Sequence, residues 1–183
     1  MGYNIAIAKS WQELEGVAKD KTLQVRFLAD EYSIDLGAKK VFSLSCNVPV
    51  KEYVSILVLH YAQKRIAGLP GTSGEWIDFR QLDGGQGYYP TFKKRVVDTI
   101  KRKYAARPGA LLKLSYRFRI RNAGSADAGI SLDVFDGIPV LIQVWKGDDE
   151  FGPEANILFD KSIKDIFCTE DIVVLSEFIA HSI

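Results

Sequence analysis

The chain has 183 residues, 47% of them hydrophobic and 26% charged, and its 24 lysines and arginines against 23 acidic residues leave a formal net charge of +1. That length suits one compact domain spanning residues 1–183, the composition excludes wholesale disorder, and the near-neutral balance argues against a protein acting mainly as a polycation. Two cysteines (Cys46, Cys168) and two histidines (His60, His181), all far apart in sequence, do not make the clustered ligand sets of zinc or iron–sulfur sites, so no cofactor is expected and both thiols read as reduced and buried.

The start, Met1-Gly2-Tyr3-Asn4, has neither a basic leader nor a cleavage site, and Ala6 stands where a myristoylation signal needs Ser or Thr. The expectation is a cytoplasmic protein with no membrane partner. From Asn4 to Lys21 the residues Ile7, Trp11, Leu14 and Ala18 recur at helical spacing and predict an amphipathic helix. Alternation in Leu23–Leu28 and Tyr32–Leu36 predicts a strand pair, continued by Val41–Leu44. Lys51–Ala67 is apolar nearly all round and reads as a central helix capped by Asn47, with Pro49 in its first turn and Gly68 and Pro70 stopping it. The run Val54–Ala62 within it, broken by Ser55 and His60, is too short to span a bilayer.

A glycine-rich loop is then expected from Gly68 to Tyr89, interrupted only by Trp76–Phe79, with Pro90 opening a helix whose stripe is Phe92, Val96, Ile100 and Tyr104. In Leu112–Arg121 the alternation favours a strand, while Leu111, Leu114 and Phe118 also fit a helix opened by Pro108. Ile130–Phe135, Val140–Trp145 and Ile157–Phe159 read as strands, and Asp160 and Thr169 as caps of two closing helices, the second carrying Ile172, Leu175 and Ile179. These elements predict an α+β fold: a single domain with an antiparallel or mixed sheet packed against about four helices.

Several of these segments also carry a likeness in order and spacing. They are Tyr32-x-Ile34-x-Leu36, Leu59-His60-Tyr61, Gly74 to Leu82, Gly84-Gly85, Tyr88-Tyr89-x-x-Phe92, Ile138-Pro139-Val140, Trp145-x-Gly147 to Phe151 and Ile157 to Asp160. On them the chain resembles, over nearly its whole length, a domain-of-unknown-function family of anaerobic bacteria and archaea numbered three-seven-eight-six. The resemblance implies a setting in anaerobic redox or corrinoid metabolism and no mechanism. The cysteine-rich iron–sulfur segment of some relatives has no counterpart here.

Within Gly68–Tyr89, Glu75, Trp76, Phe79, Arg80, Gly84, Gly85, Tyr88 and Tyr89 form the candidate ligand-binding set. Glycines free backbone N–H groups for an anion, aromatics can cover a flat ligand, and Arg80 supplies a planar donor fork. The competing reading pairs Arg80 with Glu75 or Asp78 and makes the loop structural. No nucleotide-loop or dinucleotide spacing is present, and Ser73 lacks the context of a nucleophile.

Between Lys93 and Arg121 lie 11 basic residues against Asp98 alone, whereas 12 acidic residues follow Asn122. That basic stripe suits an anionic protein partner better than nucleic acid, for which no recognition motif is present, unless the two halves neutralise each other on folding. Asp148, Asp149 and Glu150 are an alternative metal-assisted site, against the reading of a solvated hairpin turn. His60 reads as a core histidine with one hydrogen bond in preference to a catalytic group, and His181 as a cation stabilising a helix end. The leading expectation is a non-catalytic ligand-binding or accessory domain that takes a small anionic ligand or a redox partner protein, with homo-oligomerisation left open. The metal-assisted enzyme and the interaction module stand as alternatives.

Overall fold

A computed structural model describes residues 2–183; Met1, from which the leader reading starts, lies outside them. In chain order, α1 (Gly2–Glu15) precedes the meander β1 (Thr22–Phe27), β2 (Asp30–Asp35), β3 (Lys40–Ser43) and β4 (Val48–Pro49). Then come α2 (Glu52–Ala67), β5 (Trp76–Asp78), a 3-10 turn (Phe79–Gln81), α3 (Gly85–Phe92), a π-helical turn (Lys93–Val97) and α4 (Asp98–Tyr104). A 3-10 stretch (Pro108–Tyr116) leads to β6 (Ile120–Asn122), β7 (Ala128–Phe135), β8 (Ile138–Trp145) and β9 (Glu154–Asp160). A further 3-10 turn (Lys161–Asp165) and α5 (Thr169–Ser182) close the chain. The fold is α+β, and every strand pairing is antiparallel.

The strands make one nine-stranded sheet in the order β4-β3-β2-β1-β7-β8-β9-β5, with β6 also pairing with β7. Its two parts meet at a narrow seam, the single pair Phe27 and Phe135, supported by the Leu28 N–H donating to Val134 O at 2.7 Å. A bulge in β7 between Asp133 and Phe135 turns the chain at that point. Aromatic packing carries the joint: Phe135 lies between Phe27 (centroids 4.6 Å apart) and Tyr61 of α2 (4.3 Å), while the Tyr61 hydroxyl donates to Asp136 O at 2.9 Å. All three rings are fully buried, and each contributes about 1.5–3 kcal/mol from burial alone. Leu28 has φ 54, a region uncommon for a branched residue; its N–H bond to Val134 O and the Arg26 Nη1 bond to its carbonyl (2.9 Å) hold it there.

Several expectations are corrected. The first helix ends at Glu15, short of Lys21, although Trp11 and Leu14 are buried as its stripe requires. Asn47 and Pro49 do not start α2: Asn47 sits in a turn at φ 53 and Pro49 pairs with Phe42 at the edge of the sheet, where a missing N–H is tolerated. Lys51 caps α2 without a side-chain bond.

Pro90 lies inside α3 instead of opening a helix, so the expected long loop shrinks to the residues between Ala67 and Trp76 and the short link at 82–84. Phe92, Val96, Ile100 and Tyr104 are all buried as expected. Strict spacing by four slips about 40° per step around a regular helix, and the wider turn Lys93–Val97 brings the stripe back to one face. Over Leu112–Tyr116 the helical alternative wins, with Leu111 and Leu114 in the core, whereas Ile120 and Arg121, at the end of the expected strand, do enter β6. Both cysteines are exposed instead of buried. Asp160 caps as expected by accepting from the Ser162 N–H, whereas Cys168, and not Thr169, is the N-cap of α5. Among the described residues no helix is long and apolar enough to cross a membrane.

Candidate functional site

In the glycine-rich segment, β5 pairs with β9, and the polar groups around it find partners close by. Asp160, 2% exposed, accepts from Ser73 N (2.9 Å) and Oγ (3.0 Å), Gly74 N (2.8 Å), and Ser162 N (3.0 Å) and Oγ (2.6 Å). Burial raises its pKa, but these donors outweigh that and hold it at about 2. Glu75 pairs with Lys161 at 2.9 Å, both at the surface.

Asp78 accepts from the Arg80 N–H while Gln81 Oε1 takes the Asp78 N–H, a capping box. The Arg80 fork closes on the same Asp78 (Nε to Oδ1 2.8 Å, Nη2 to Oδ2 3.2 Å), and its guanidinium lies 4.6 Å from the centre of the Tyr89 ring. Arg80 thus makes the Asp78 pair of the competing reading, with its side chain still 49% exposed. Phe79 is fully buried and stacks on Phe92 at 3.9 Å. Trp76 and Tyr89 are half-buried and Tyr88 is exposed. Gly84 takes φ 71, and a Cβ on Gly85 would stand 2.0 Å from Phe79 O, so backbone packing alone demands both glycines.

The acidic turn is closed by Asp148, whose carboxylate accepts from the N–H groups of Glu150 (2.9 Å) and Phe151 (2.7 Å), bonds that lower its pKa. Among the described residues no group of three or more His, Cys, Asp or Glu is placed to hold a metal ion. The basic stripe meets acids of the C-terminal half: Arg95 pairs with Glu177, Arg119 with Asp136, and Arg121 with Asp133. Lys103 Nζ instead binds the carbonyls of Ala180 (2.8 Å), His181 (3.0 Å) and Ile183 (2.6 Å), closing the end of α5.

A cavity of about 750 Å³ opens elsewhere, between α1, α2, the link at 82–83 and the start of α5. His60 stands on its wall with both ring nitrogens engaged: Nδ1 is 2.8 Å from Asp171 Oδ2 in the first turn of α5, and Nε2 is 2.8 Å from Ser10 Oγ of α1. The expected single bond of a core histidine is therefore corrected to two, and its side chain is 26% exposed. Residue types on α2 gave no warning of this, because the partners lie 50 and 111 positions away. The carboxylate of Asp171 accepts, so the Nδ1 proton is fixed toward it.

The same three side-chain types in this order form the relay of serine hydrolases. Here Ser10 is 2% exposed and its Oγ also lies 2.9 Å from Ala6 O, within a helix. Cys168, on the same wall, is exposed as a residue but partly desolvated at the sulfur. That desolvation first, and the Asp171 charge as well, push its pKa to about 11 against the Asp171 N–H bond, so the thiol stays protonated at neutral pH. Lys9, Lys64 and Lys164 face Glu13, Asp83, Asp165 and Glu170 around the cavity. Lys9 pairs with Glu13 at 3.7 Å, whereas Lys64 has no ion-pair partner among the described residues. Leu82 and Asp83 are the part of the predicted glycine-rich segment that reaches this cavity.

The model of the family described as a domain of unknown function (DUF3786) matches residues 7–182. The chain belongs to that family. Neither the curated proteins nor the solved structures contain a match to it.

Proposed function

Taking membership of that family as the premise, we propose that the chain is a ligand-binding domain whose ligand occupies the cavity beside His60. The observation that carries this reading is the imidazole on the cavity wall, held at 2.8 Å by Asp171 on one side and Ser10 on the other. Such bracketing holds one ring orientation, which is what a recognition group needs. The volume of about 750 Å³ falls in the range of small-molecule sites. Lining charges of both signs favour a small polar ligand bearing both an acidic and a basic group over a purely anionic one. The working compartment of the proposal is the cytoplasm. The redox or corrinoid link rests on resemblance alone, and no residue here carries it.

The test is a crystal structure and thermal unfolding of the purified protein with a panel of free amino acids as probes. Density beside His60 and Lys64, with stabilisation lost in Lys64→Ala, supports the reading. A cavity holding only water, with no probe shifting the melting temperature, sinks it.

The relay favours one second reading, acyl transfer by Ser10 with His60 as base. It requires Ser10 to become accessible through movement of α1. Labelling by a fluorophosphonate at Ser10 that disappears in His60→Ala supports it, and absence of labelling rejects it.

A further inference from the structure

At the seam of the sheet lies a second, separate cleft. Arg26 of β1 is 8% exposed and joins the two parts of the sheet: Nε donates to Asp136 Oδ1 (2.9 Å), and Nη1 to Leu28 O (2.9 Å) and Asp133 O (3.0 Å). Its Nη2 has no partner at all, and it is the buried side-chain nitrogen or oxygen left unsatisfied among the described residues. A guanidinium N–H shut away from water without an acceptor is costly, so such an atom points to an occupant.

Arg26 borders a cleft of about 290 Å³ together with Arg117 and Arg119. Arg119 shares Asp136 Oδ1 with Arg26, so one carboxylate oxygen serves two guanidinium groups. Arg117 has no ion-pair partner among the described residues; its guanidinium lies 5.1 Å from the Phe118 ring centre. Three carboxylates lie at or beside the cleft: Asp136 is shared by Arg26 and Arg119, while Asp30 and Glu31 line the cleft without pairing with any of the arginines. Asp30 is turned to the hydroxyl of Ser43 (2.6 Å) and the N–H of Glu31 (2.8 Å). Glu31 stands opposite Arg26 in the strand register but is exposed and makes no ion pair with it.

We propose that this cleft is an oxyanion site, in which Arg26 Nη2 and the Arg117 guanidinium hold a carboxylate or phosphate. Guanidinium donors match either anion, and Arg26 arrives already locked in place by its other bonds. The site takes in Arg117 and Arg119 of the basic stripe and shares no residue with the His60 cavity.

Thermal unfolding of the full chain is followed while inorganic phosphate or acetate is added at constant ionic strength, in wild type, Arg117→Ala, Glu31→Gln and Lys64→Ala. Arg26→Ala is avoided because it also unstitches the sheet. Wild type and Lys64→Ala show a saturating stabilisation, and Arg117→Ala needs roughly tenfold more of the anion for the same shift. A larger response to phosphate marks a tetrahedral ligand and a larger response to acetate a planar one. Three results overturn the proposal: an equal response in Arg117→Ala, an equal effect of chloride, or a response confined to Glu31→Gln, which would mean that Glu31 fills the site itself. Because Lys64→Ala affects only the other cavity, failure here and failure of the proposed function are told apart.

Discussion

The glycine-rich segment around Arg80 and the cavity around His60 differ in where their polar partners come from. In the first, Arg80 closes on Asp78 two residues away and Asp78 caps its own turn, so the polar groups at Arg80 itself are satisfied locally, although Ser73, Gly74 and Glu75 just before it are held by Asp160 and Lys161 at the end of β9. In the second, Ser10, His60 and Asp171 come from α1, α2 and α5 and meet at a cavity wall that His60 and Asp171 line. A dense local motif that answers its own hydrogen bonds has little left for a ligand. Side chains brought together from afar at a cavity are positioned by the whole fold, and that positioning can serve recognition.

The largest test of this contrast is Phe79→Ala. If the segment is structural, removing a fully buried ring stacked on Phe92 costs about 3–5 kcal/mol in urea unfolding. A cost under about 1 kcal/mol would show a segment free to move for a ligand.

Asp160 comes next, since Asp160→Ala strips the acceptor from Ser73, Gly74 and Ser162 and is expected to cost about 2–4 kcal/mol. Its pH signature follows from a folded pKa of about 2 against an ordinary 3.8. The depressed value means that the carboxylate stabilises the fold above the ordinary pKa, and that this is lost as pH falls from about 4 toward 2. Wild type should therefore lose more stability than Asp160→Asn over that window, and parallel curves for the two would contradict the assignment.

Asp171→Asn is smaller, about 1–2 kcal/mol, because the amide can still bond but now offers a donor. Nitrogen NMR of the neutral form of the imidazole should show the Nδ1-protonated tautomer in the wild type and the Nε2-protonated tautomer in the variant. An unchanged tautomer breaks the view that Asp171 orients the ring. Last, Arg80→Ala is expected to leave both melting temperature and the response to amino-acid probes at wild-type values, since its pair with Asp78 is at the surface. Loss of a probe response in that variant would return the ligand to the glycine-rich segment.

What was legible in the sequence follows local physics. Alternation in Leu23–Leu28 and Tyr32–Leu36 produced strands, and the stripe Phe92, Val96, Ile100, Tyr104 produced a buried helix face, because side-chain period and burial are coupled residue by residue. Over Leu112–Tyr116 the alternation misled because the same apolar residues also fit a helical repeat, and packing against the core decided between them. Pro90 misled because a proline inside a helix is permitted once neighbouring turns adjust.

For the candidate site, the sequence by itself determined the available chemistry: few histidines and cysteines, no nucleotide loop, and a run of arginines and lysines. Only the tertiary structure decided that His60 meets Asp171 and Ser10, and that Arg26 keeps an unpartnered Nη2 and borders one cleft with Arg117. The physical reason is that hydrogen bonding between side chains depends on distances of a few ångströms. Neither composition nor period encodes those distances for residues separated by 50 or 111 positions until α1, α2 and α5 are packed together.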